Sequence, residues 1–353
     1  MGQRMDEAIT RYQEIQQKNL LGGGVKHIER QHGRGKLTAR ERIDRLIDPG
    51  TFSELGSCVG STGMRLDGRR TDAPCDGAVT GTAEVHGRRV MVYASDFTVL
   101  GGSTALQHFF KFSRCVELAA RWGIPMVNLL DSSGGRLGHI DAVAAGIEWQ
   151  FRIISKYSGV IPQITVLMGP CIAGGAYIPT LCDFLLISRV SGYMWLGGPR
   201  QTAAATSEKI DENIGGADYH MQLSGTCDMV GDDDQETIAK CRQLLRYLPQ
   251  NWRETPPSWE TTDDPARQVD TLTTIVPDDF DQTYDMHEVI ETLVDDGEYL
   301  EIKDEYARHL ITCFCRFNGE VVGLVANNPA HGGSVLEVDS CDKYYRFCLL
   351  YTS

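Results

Sequence analysis

Residues 43–55 read I-D-R-L-I-D-P-G-T-F-S-E-L, and residues 290–302 read I-E-T-L-V-D-D-G-E-Y-L-E-I. Both fit one pattern, I-x-x-L-[IV]-D-x-G-x-[FY]-x-E-[LI]. Farther along, Gly87 opens G-R-R-V-M-V-Y-A-S-D and Gly319 opens G-E-V-V-G-L-V-A-N-N. Each copy then reaches a G-G-S, at Gly101 to Ser103 and at Gly332 to Ser334, and after it a K-x-x-R, at Lys111 and Arg114 and at Lys343 and Arg346. A repeat of this length is a duplicated domain, not a solenoid unit of a few dozen residues. The first copy runs on well past its G-G-S, whereas the second is expected to hold only its opening strands and the start of one helix.

The rest of the composition bounds the problem. A chain of 353 residues has room for two cores, and 42% apolar with 23% charged residues describes an ordinary globular protein. No apolar run approaches the roughly 18 residues that span a bilayer, so no membrane insertion is expected. The N-terminus carries Asp6 and Glu7 and no apolar segment, so neither a secretory nor a transit peptide is expected, and a cytoplasmic location follows. Eleven cysteines without a C-x-x-C pair read as buried free thiols, with no metal site. The closest two, Cys313 and Cys315, are expected on opposite faces of a strand. A net charge of −14 argues against nucleic acid. One basic stretch stands against that background: Lys26, Arg30, Arg34, Lys36, Arg40, Arg42 and Arg45. It reads either as a solvated helix face or as a surface for the phosphates of a ligand.

Residues 4–20 have helical periodicity and are followed by a Gly22-Gly23-Gly24 break. Thr38 with Glu41 forms a capping-box signal for a helix to Leu46, ended by Gly50. Strands at 78–85 and 89–94 join through His86-Gly87 as a hairpin. Beyond Ser103 helices and apolar strands alternate: helix 104–122 stopped by Gly123, strand 125–130, helix 141–157, strand 163–168, a short helix near Gly175, and strand 184–188. Apolar strands separated by helices mean an α/β core with a parallel sheet. The Pro-rich stretch from Pro249 to Asp281 reads as an interdomain linker. The expected division is a first domain over 1–260, a linker over 261–283 and the opening of a second domain over 284–353.

Two loops place glycines directly after buried strands: Asp131-Ser-Ser-Gly-Gly-Arg136 and Met168-Gly-Pro-Cys-Ile-Ala-Gly-Gly-Ala-Tyr177. If a helix starts at Gly175, the free N–H groups of Gly174, Gly175 and Ala176 point out of its positive end and form an oxyanion hole. Small residues that let a helix pack on the sheet are the plainer reading. There is no P-loop, no G-x-G-x-x-G after a strand and no G-x-S-x-G elbow. No histidine has the setting of a general base.

These residues resemble a family. Gly22-Gly-Gly-x-Lys-x-Ile-Glu-x-Gln-His-x-x-Gly-Lys-Leu-Thr-Ala-Arg-Glu-Arg-Ile43 is similar to the opening of the biotin-dependent acyl-CoA carboxyltransferases. The likeness continues through Asp76-Gly-x-Val-Thr-Gly81, Asp96-Phe-Thr-Val-x-Gly-Gly102, Gly159-Val-Ile-Pro-Gln163, Gly174-Gly175 and Val325-Ala-Asn-Asn-Pro329. It implies a duplicated crotonase-like (ClpP/crotonase) α/β fold, with the first domain complete and the second truncated. It implies acyl-CoA as substrate and biotin, carried as carboxybiotin on a carrier protein, as cofactor. The amides of Gly174 and Gly175 would stabilise the thioester enolate while the biotin nitrogen removes the α-proton, which accounts for the missing base. Gly101, Gly102, Ser133, Gly134 and Gly135 are the expected neighbourhood of the CoA thioester. Implied partners are a biotin carboxylase, a biotin carboxyl carrier protein and further copies of the chain, in a hexamer built from dimers. One departure is D-S-S-G-G-R in place of the family's D-S-G-G-A-R, which puts Ser133 at a glycine and Gly135 at an alanine and bears on acyl-group preference.

The leading expectation is the carboxyltransferase of an acyl-CoA carboxylase. The alternatives are a decarboxylase α subunit running the reaction backwards and a non-catalytic CoA-binding fragment. This chain alone is expected to be inactive and residues 284–353 loosely packed, with Leu324, Val325 and Leu336 exposed. Residues 348–353, C-L-L-Y-T-S, back-translate to a transposon end used in sequencing libraries and read as an artefact.

Overall fold

The computed structural model describes residues 2–61, 72–136, 140–211, 213–264, 266–279 and 281–352. Three helices open the chain: α1 (Gly2–Leu20), α2 (Val25–His32) and α3 (Ala39–Leu46). The capping box forms as its residues dictate. Glu41 N–H donates to Thr38 Oγ1, and Thr38 N–H donates to Glu41 Oε2 at 2.8 Å. The helix ends at Leu46, as expected, with Ile47 as its cap, and Gly50 takes φ 78° in the turn beyond. Helix α2 was not anticipated: it is only eight residues long, and Val25 and Ile28 are its only aliphatic residues, too few to mark a period.

The body of the chain is β1 (Ser53–Leu55), β2 (Ala78–Val85), β3 (Arg88–Ser95), α4 (Leu106–Trp122), β4 (Met126–Ser132), α5 (Ile140–Lys156), β5 (Gln163–Ile172), α6 (Tyr177–Leu181), β6 (Phe184–Ser188), β7 (Tyr193–Trp195), α7 (Pro199–Thr206), β8 (Met229–Gly231) and α8 (Asp234–Leu245). These strands make one sheet in the order β1-β2-β3-β4-β5-β6-β8, with β7 pairing the end of β5. The first three strands are antiparallel neighbours, and from β3 onward the pairs are parallel. Helices α4, α5 and α6 cover one face through Phe112, Ile154 and Ile178, and α3 and α8 cover the other through Ile43, Leu46 and Leu244. Strand β4 is therefore buried along its whole length, as a two-sided parallel strand must be. Gly123 ends α4 in the left-handed conformation, φ 66°.

The remaining elements are α9 (Leu272–Ile275), α10 (Met286–Leu293), β9 (Tyr299–Glu301), β10 (Leu310–Phe317), β11 (Glu320–Asn327) and α11 (Val338–Thr352). The three strands form an antiparallel sheet in the order β11-β10-β9. This sheet does not float free. Phe314 lies 6.1 Å from Phe184 and 5.1 Å from Phe347 between ring centroids, so one apolar cluster runs across both sheets. Trp259, inside the stretch that reads as a linker, has the Arg246 and Arg316 guanidinium groups 4.0 and 4.4 Å above its ring, and its N–H donates to Gly319 O at 3.1 Å.

Two expectations about this region are corrected. Leu336 is exposed, but Leu324 and Val325 are half-buried, because the two faces of β11 pack on separate clusters, Leu324 with Ile290 and Cys313 and Val325 with the shared core. Cys313 and Cys315 share a face, since side chains two apart on a strand point the same way. None of the eleven cysteines is in a disulfide, and Cys58 and Cys341 are exposed, not buried. No helix among the described residues is long and apolar enough to cross a membrane.

Candidate active site

Three turns meet at the carboxyl ends of β3, β4 and β5, the edge of a parallel sheet where ligands bind. After β3, Leu100, Gly101 and Gly102 form a tight turn with φ of 52°, 69° and 62°. Gly102 is buried against the backbone of Asp131 and Ser132, and a Cβ there would collide with the Asp131 carbonyl. The turn is stitched to the loop after β4: Ser133 N–H donates to Gly101 O at 3.0 Å, and Ser132 Oγ donates to Gly102 O at 2.7 Å. Thr104 N–H in turn donates to Gly134 O at 2.9 Å. Gly134 borders the third turn, since a Cβ on it would stand 3.6 Å from Ile172 O. Gly101, Gly102, Ser133, Gly134 and Gly135 are thus gathered in one place, next to the strand end that leads into Gly174 and Gly175.

The third turn differs in detail from the expected helix start. Ala173 to Ala176 form a 3-10 turn, and α6 begins at Tyr177. Ala173 takes φ 55°, costly for a residue with a Cβ, and turns the chain sharply out of β5. Tyr177 N–H closes the turn onto Gly174 O and Gly175 O. Among the described residues, neither Gly174 N–H nor Gly175 N–H donates to a backbone carbonyl outside this turn. Both glycines are half-buried, and Ala176 is buried. The Ile147 side chain of α5 comes so close to Gly174 that a Cβ there would sit 2.5 Å from it.

Ionisable groups lie around these turns, but they are committed to one another. Arg136 ends the second loop and pairs with Asp76 at 2.5 Å, while its Nη2 donates to Ser103 O at 2.8 Å. The other Asp76 oxygen accepts from His108 N–H at 3.0 Å. His108 is fully buried beside Tyr93, and burial pushes its pKa down to about 4. Burial likewise drives the Tyr93 phenol far above its usual range. Neither group titrates near neutrality, so neither is poised as a general base. The Asp76–His108–Arg136 cluster was not foreseen, although Asp76 and Arg136 both lie in motifs singled out above; charged residues at the start and end of glycine turns were the available signal.

Nearby, a cavity of about 630 Å³ opens between α1, α2 and residues 97–101. Lys18, His27, Arg30 and Arg34 line it together with Gly22 to Gly24, and Gly101 forms its inner end. The basic stretch therefore divides, and neither reading of it holds throughout. Arg30 and Arg34 reach the cavity, but Lys36 and Arg42 are buried in ion pairs with Asp131, and Arg40 pairs with Glu54 at 2.9 Å.

A family model described as Carboxyl transferase domain matches residues 30–352. The chain belongs to this carboxyltransferase family. It is 38% identical over 348 residues to the methylmalonyl-CoA decarboxylase subunit alpha of Veillonella parvula, covering 98% of this chain and 68% of that one. To the propionyl-CoA carboxylase beta chain of Roseobacter denitrificans it is 39% identical over 350 residues, again with 98% and 68% covered. The carboxyltransferase thus spans about two thirds of the length of these relatives. Among solved structures, the transcarboxylase 12S hexamer core with methylmalonyl-coenzyme A and methylmalonic acid bound superimposes with a TM-score of 0.95 at 35% identity, over 98% of this chain and 67% of that one. The α/β architecture is that of the crotonase-like carboxyltransferases.

Proposed function

We propose that this carboxyltransferase binds a short-chain acyl-CoA on its first unit and moves a carboxyl group between that thioester and carboxybiotin on a carrier protein. The observation that carries the reading is the meeting of three glycine turns beside a basic cavity, with amides and, among the described residues, no free base at the centre. In this reading the diphosphate and ribose phosphate of CoA lie along His27, Arg30 and Arg34, Lys18 being held by Asp72 at 2.7 Å. The acyl arm passes Gly101 and Ser133, and the thioester oxygen faces Gly174 and Gly175. Preorganised amides stabilise the negative charge that develops on that oxygen when the α-carbon becomes nucleophilic. Ser133 and Gly135, where the family pattern has glycine and alanine, border the acyl group and bear on its size.

The donor set fits carboxybiotin as the missing chemical partner. Asp76, Asp131 and Arg136 are held in ion pairs, and His108 is sealed with its basicity suppressed. The proton acceptor must therefore come from outside these side chains. Carboxybiotin, when bound, supplies the carboxyl group and a basic nitrogen; the chain's residues bind, orient and shield. The implied partners are a carrier protein, a biotin carboxylase that charges it and further copies of this chain, the last supported by the hexameric assembly of the transcarboxylase core.

The direction of transfer has two supported readings. The Roseobacter relative favours carboxylation, and the Veillonella relative favours decarboxylation. Both readings place the acyl-CoA on the same first-unit site of this chain. Isothermal titration with propionyl-CoA tests it: binding should weaken as salt is raised, and replacing Arg30 and Arg34 together by glutamate should weaken it about tenfold or more. Binding indifferent to both would overturn the phosphate assignment. Binding without any transfer or decarboxylation in either direction would favour a CoA-binding role alone.

A further inference from the structure

Four charged side chains are sealed beneath the two glycine loops. Arg42, on α3, is fully buried. Its Nη1 donates to Asp131 Oδ2 at 2.9 Å, its Nη2 to Met168 O at 2.6 Å, and Nε and Nη2 together reach Asp234 Oδ2 at 3.0 and 2.7 Å. Lys36 Nζ donates to Asp131 Oδ1 at 2.7 Å, and Gln31 Nε2 to Asp131 Oδ2 at 2.8 Å. Ser191 Oγ donates to the second oxygen of Asp234 at 2.8 Å. Two cations thus face two anions with every carboxylate oxygen occupied. Burial works against the charge on Lys36 and lowers its pKa despite Asp131 beside it. Burial also opposes the charge on Arg42, but Asp131 and Asp234 outweigh it and hold the guanidinium above its ordinary range.

The place of this cluster explains it better than stability does. A buried ion pair is a poor stabiliser compared with packed apolar residues of the same volume, because desolvation consumes most of the attraction. Here the guanidinium fork spans neighbouring strands: Asp131 lies at the end of β4, next to the loop, and the Met168 carbonyl lies in β5, which leads to Gly174. Gly169 makes the approach possible, since a Cβ there would collide with the Asp131 carboxylate. At its far end the first loop is held again, by Arg136 on Asp76 at 2.5 Å.

We propose that Arg42 is a positioning residue whose fork fixes the spacing between the Asp131–Arg136 loop and the Gly174–Gly175 turn. The catalytic part of this inference rests on the oxyanion reading above, whereas the structural part does not. Arg42 touches no substrate; it sets where the amides stand. A shift of about 1 Å in such groups costs on the order of 100-fold in rate.

The test separates positioning from stability by hydrogen exchange and mass spectrometry on the full chain. Arg42→Met alone leaves two buried carboxylates short of a partner and is expected to unfold at lower urea. The charge-neutral pair Arg42→Met with Asp131→Asn should recover most of that stability. Its amides in 131–136 and 168–176 should still exchange at least about tenfold faster than in the unsubstituted chain, with 310–317 unchanged. Propionyl-CoA affinity should stay within about threefold, because the basic cavity is untouched. If the pair does not fold, Asp131→Asn alone is read the same way. Wild-type exchange in both loops of a folded variant, or acceleration spread evenly over the chain, would overturn the proposal. Failure of the unsubstituted chain to bind propionyl-CoA would instead count against the acyl-CoA reading, and the exchange result would still decide the clamp.

Discussion

The two copies of the repeat build the same opening elements and bury them differently. In the first, the hairpin of β2 and β3 turns at His86 and Gly87, with φ of 54° and 70°; in the second, β10 and β11 turn at Asn318 and Gly319, with φ of 53° and 79°. The G-G-S segments repeat the left-handed turn, and both K-x-x-R lysines are buried, Lys111 donating to Cys75 O and Ala78 O, Lys343 to Tyr306 O. Burial then parts company. Strand β3 lies between β2 and β4 and is buried from Val90 onward, whereas β11 pairs only with β10 and is half-exposed along most of its length. Phe112 of α4 is 0% exposed, while its counterpart Tyr344 on α11 is 51% exposed. Local sequence therefore sets the element, and neighbours brought from elsewhere in the chain set how much it contributes.

The matched pair Phe112 and Tyr344 offers the sharpest way to break this comparison. Phe112→Ala should lower unfolding stability by about 3–5 kcal/mol, as expected for a cavity under a fully packed helix. Tyr344→Ala should leave the urea midpoint unmoved. Equal effects would show that α11 is packed in solution as α4 is.

A second contrast concerns the turn that only the first copy displays here. Gly175→Pro removes one amide donor and should reduce carboxyl transfer from a carboxybiotinyl carrier by about 100- to 1,000-fold. Gly175→Ala keeps the donor, and its Cβ would stand an ordinary 3.6 Å from Cys171 Sγ, so activity should change little. Equal losses in the two variants would point to shape, not to the amide.

The buried lysine of the second copy gives a pH test. Burial lowers Lys343 to about 8. The folded state then binds fewer protons than the unfolded state above that pH, so this group adds stability as pH rises from about 8 toward its unfolded value near 10.5. Burial also pushes thiols such as Cys75, Cys115 and Cys241 up, which makes their own contribution to stability pH-dependent, so the quantity to follow is the difference from Lys343→Met. The unsubstituted chain should gain about 2 kcal/mol on that variant between about pH 7.5 and 9.5. A difference that does not change with pH would place Lys343 in water. The smallest contrast is at the strands themselves: amides of 321–327 should exchange about tenfold faster than those of 90–95, because β11 is held on one side only.

Much of this was legible in the sequence because the signals were local. The capping box at Thr38 and Glu41, the hairpin at His86-Gly87, the stop at Gly123 and the run of buried parallel strands each depend on residues a few positions apart, and each stands where its chemistry predicts. The glycine turns were recognisable as loops after strands. That they meet was not, because Gly101 touches Ser133 and Gly134 touches Ile172 only through sheet order. The basic stretch misled for the same reason. Lys36 and Arg42 read as surface charge until Asp131 and Asp234, nearly 100 and 200 positions away, are brought against them. Short α2 carried too few apolar residues to be seen, and the packing of Trp259 under two arginines gave a linker-like composition a structural role.

The most direct test is a crystal structure of the chain with propionyl-CoA bound. The oxyanion assignment predicts the thioester oxygen about 2.7–3.1 Å from the amide nitrogens of Gly174 and Gly175, with the CoA phosphates against Arg30 and Arg34. Propionyl-CoA bound with its thioester away from Ala173–Ala176, or those two amides turned inward onto protein carbonyls in the complex, would contradict it.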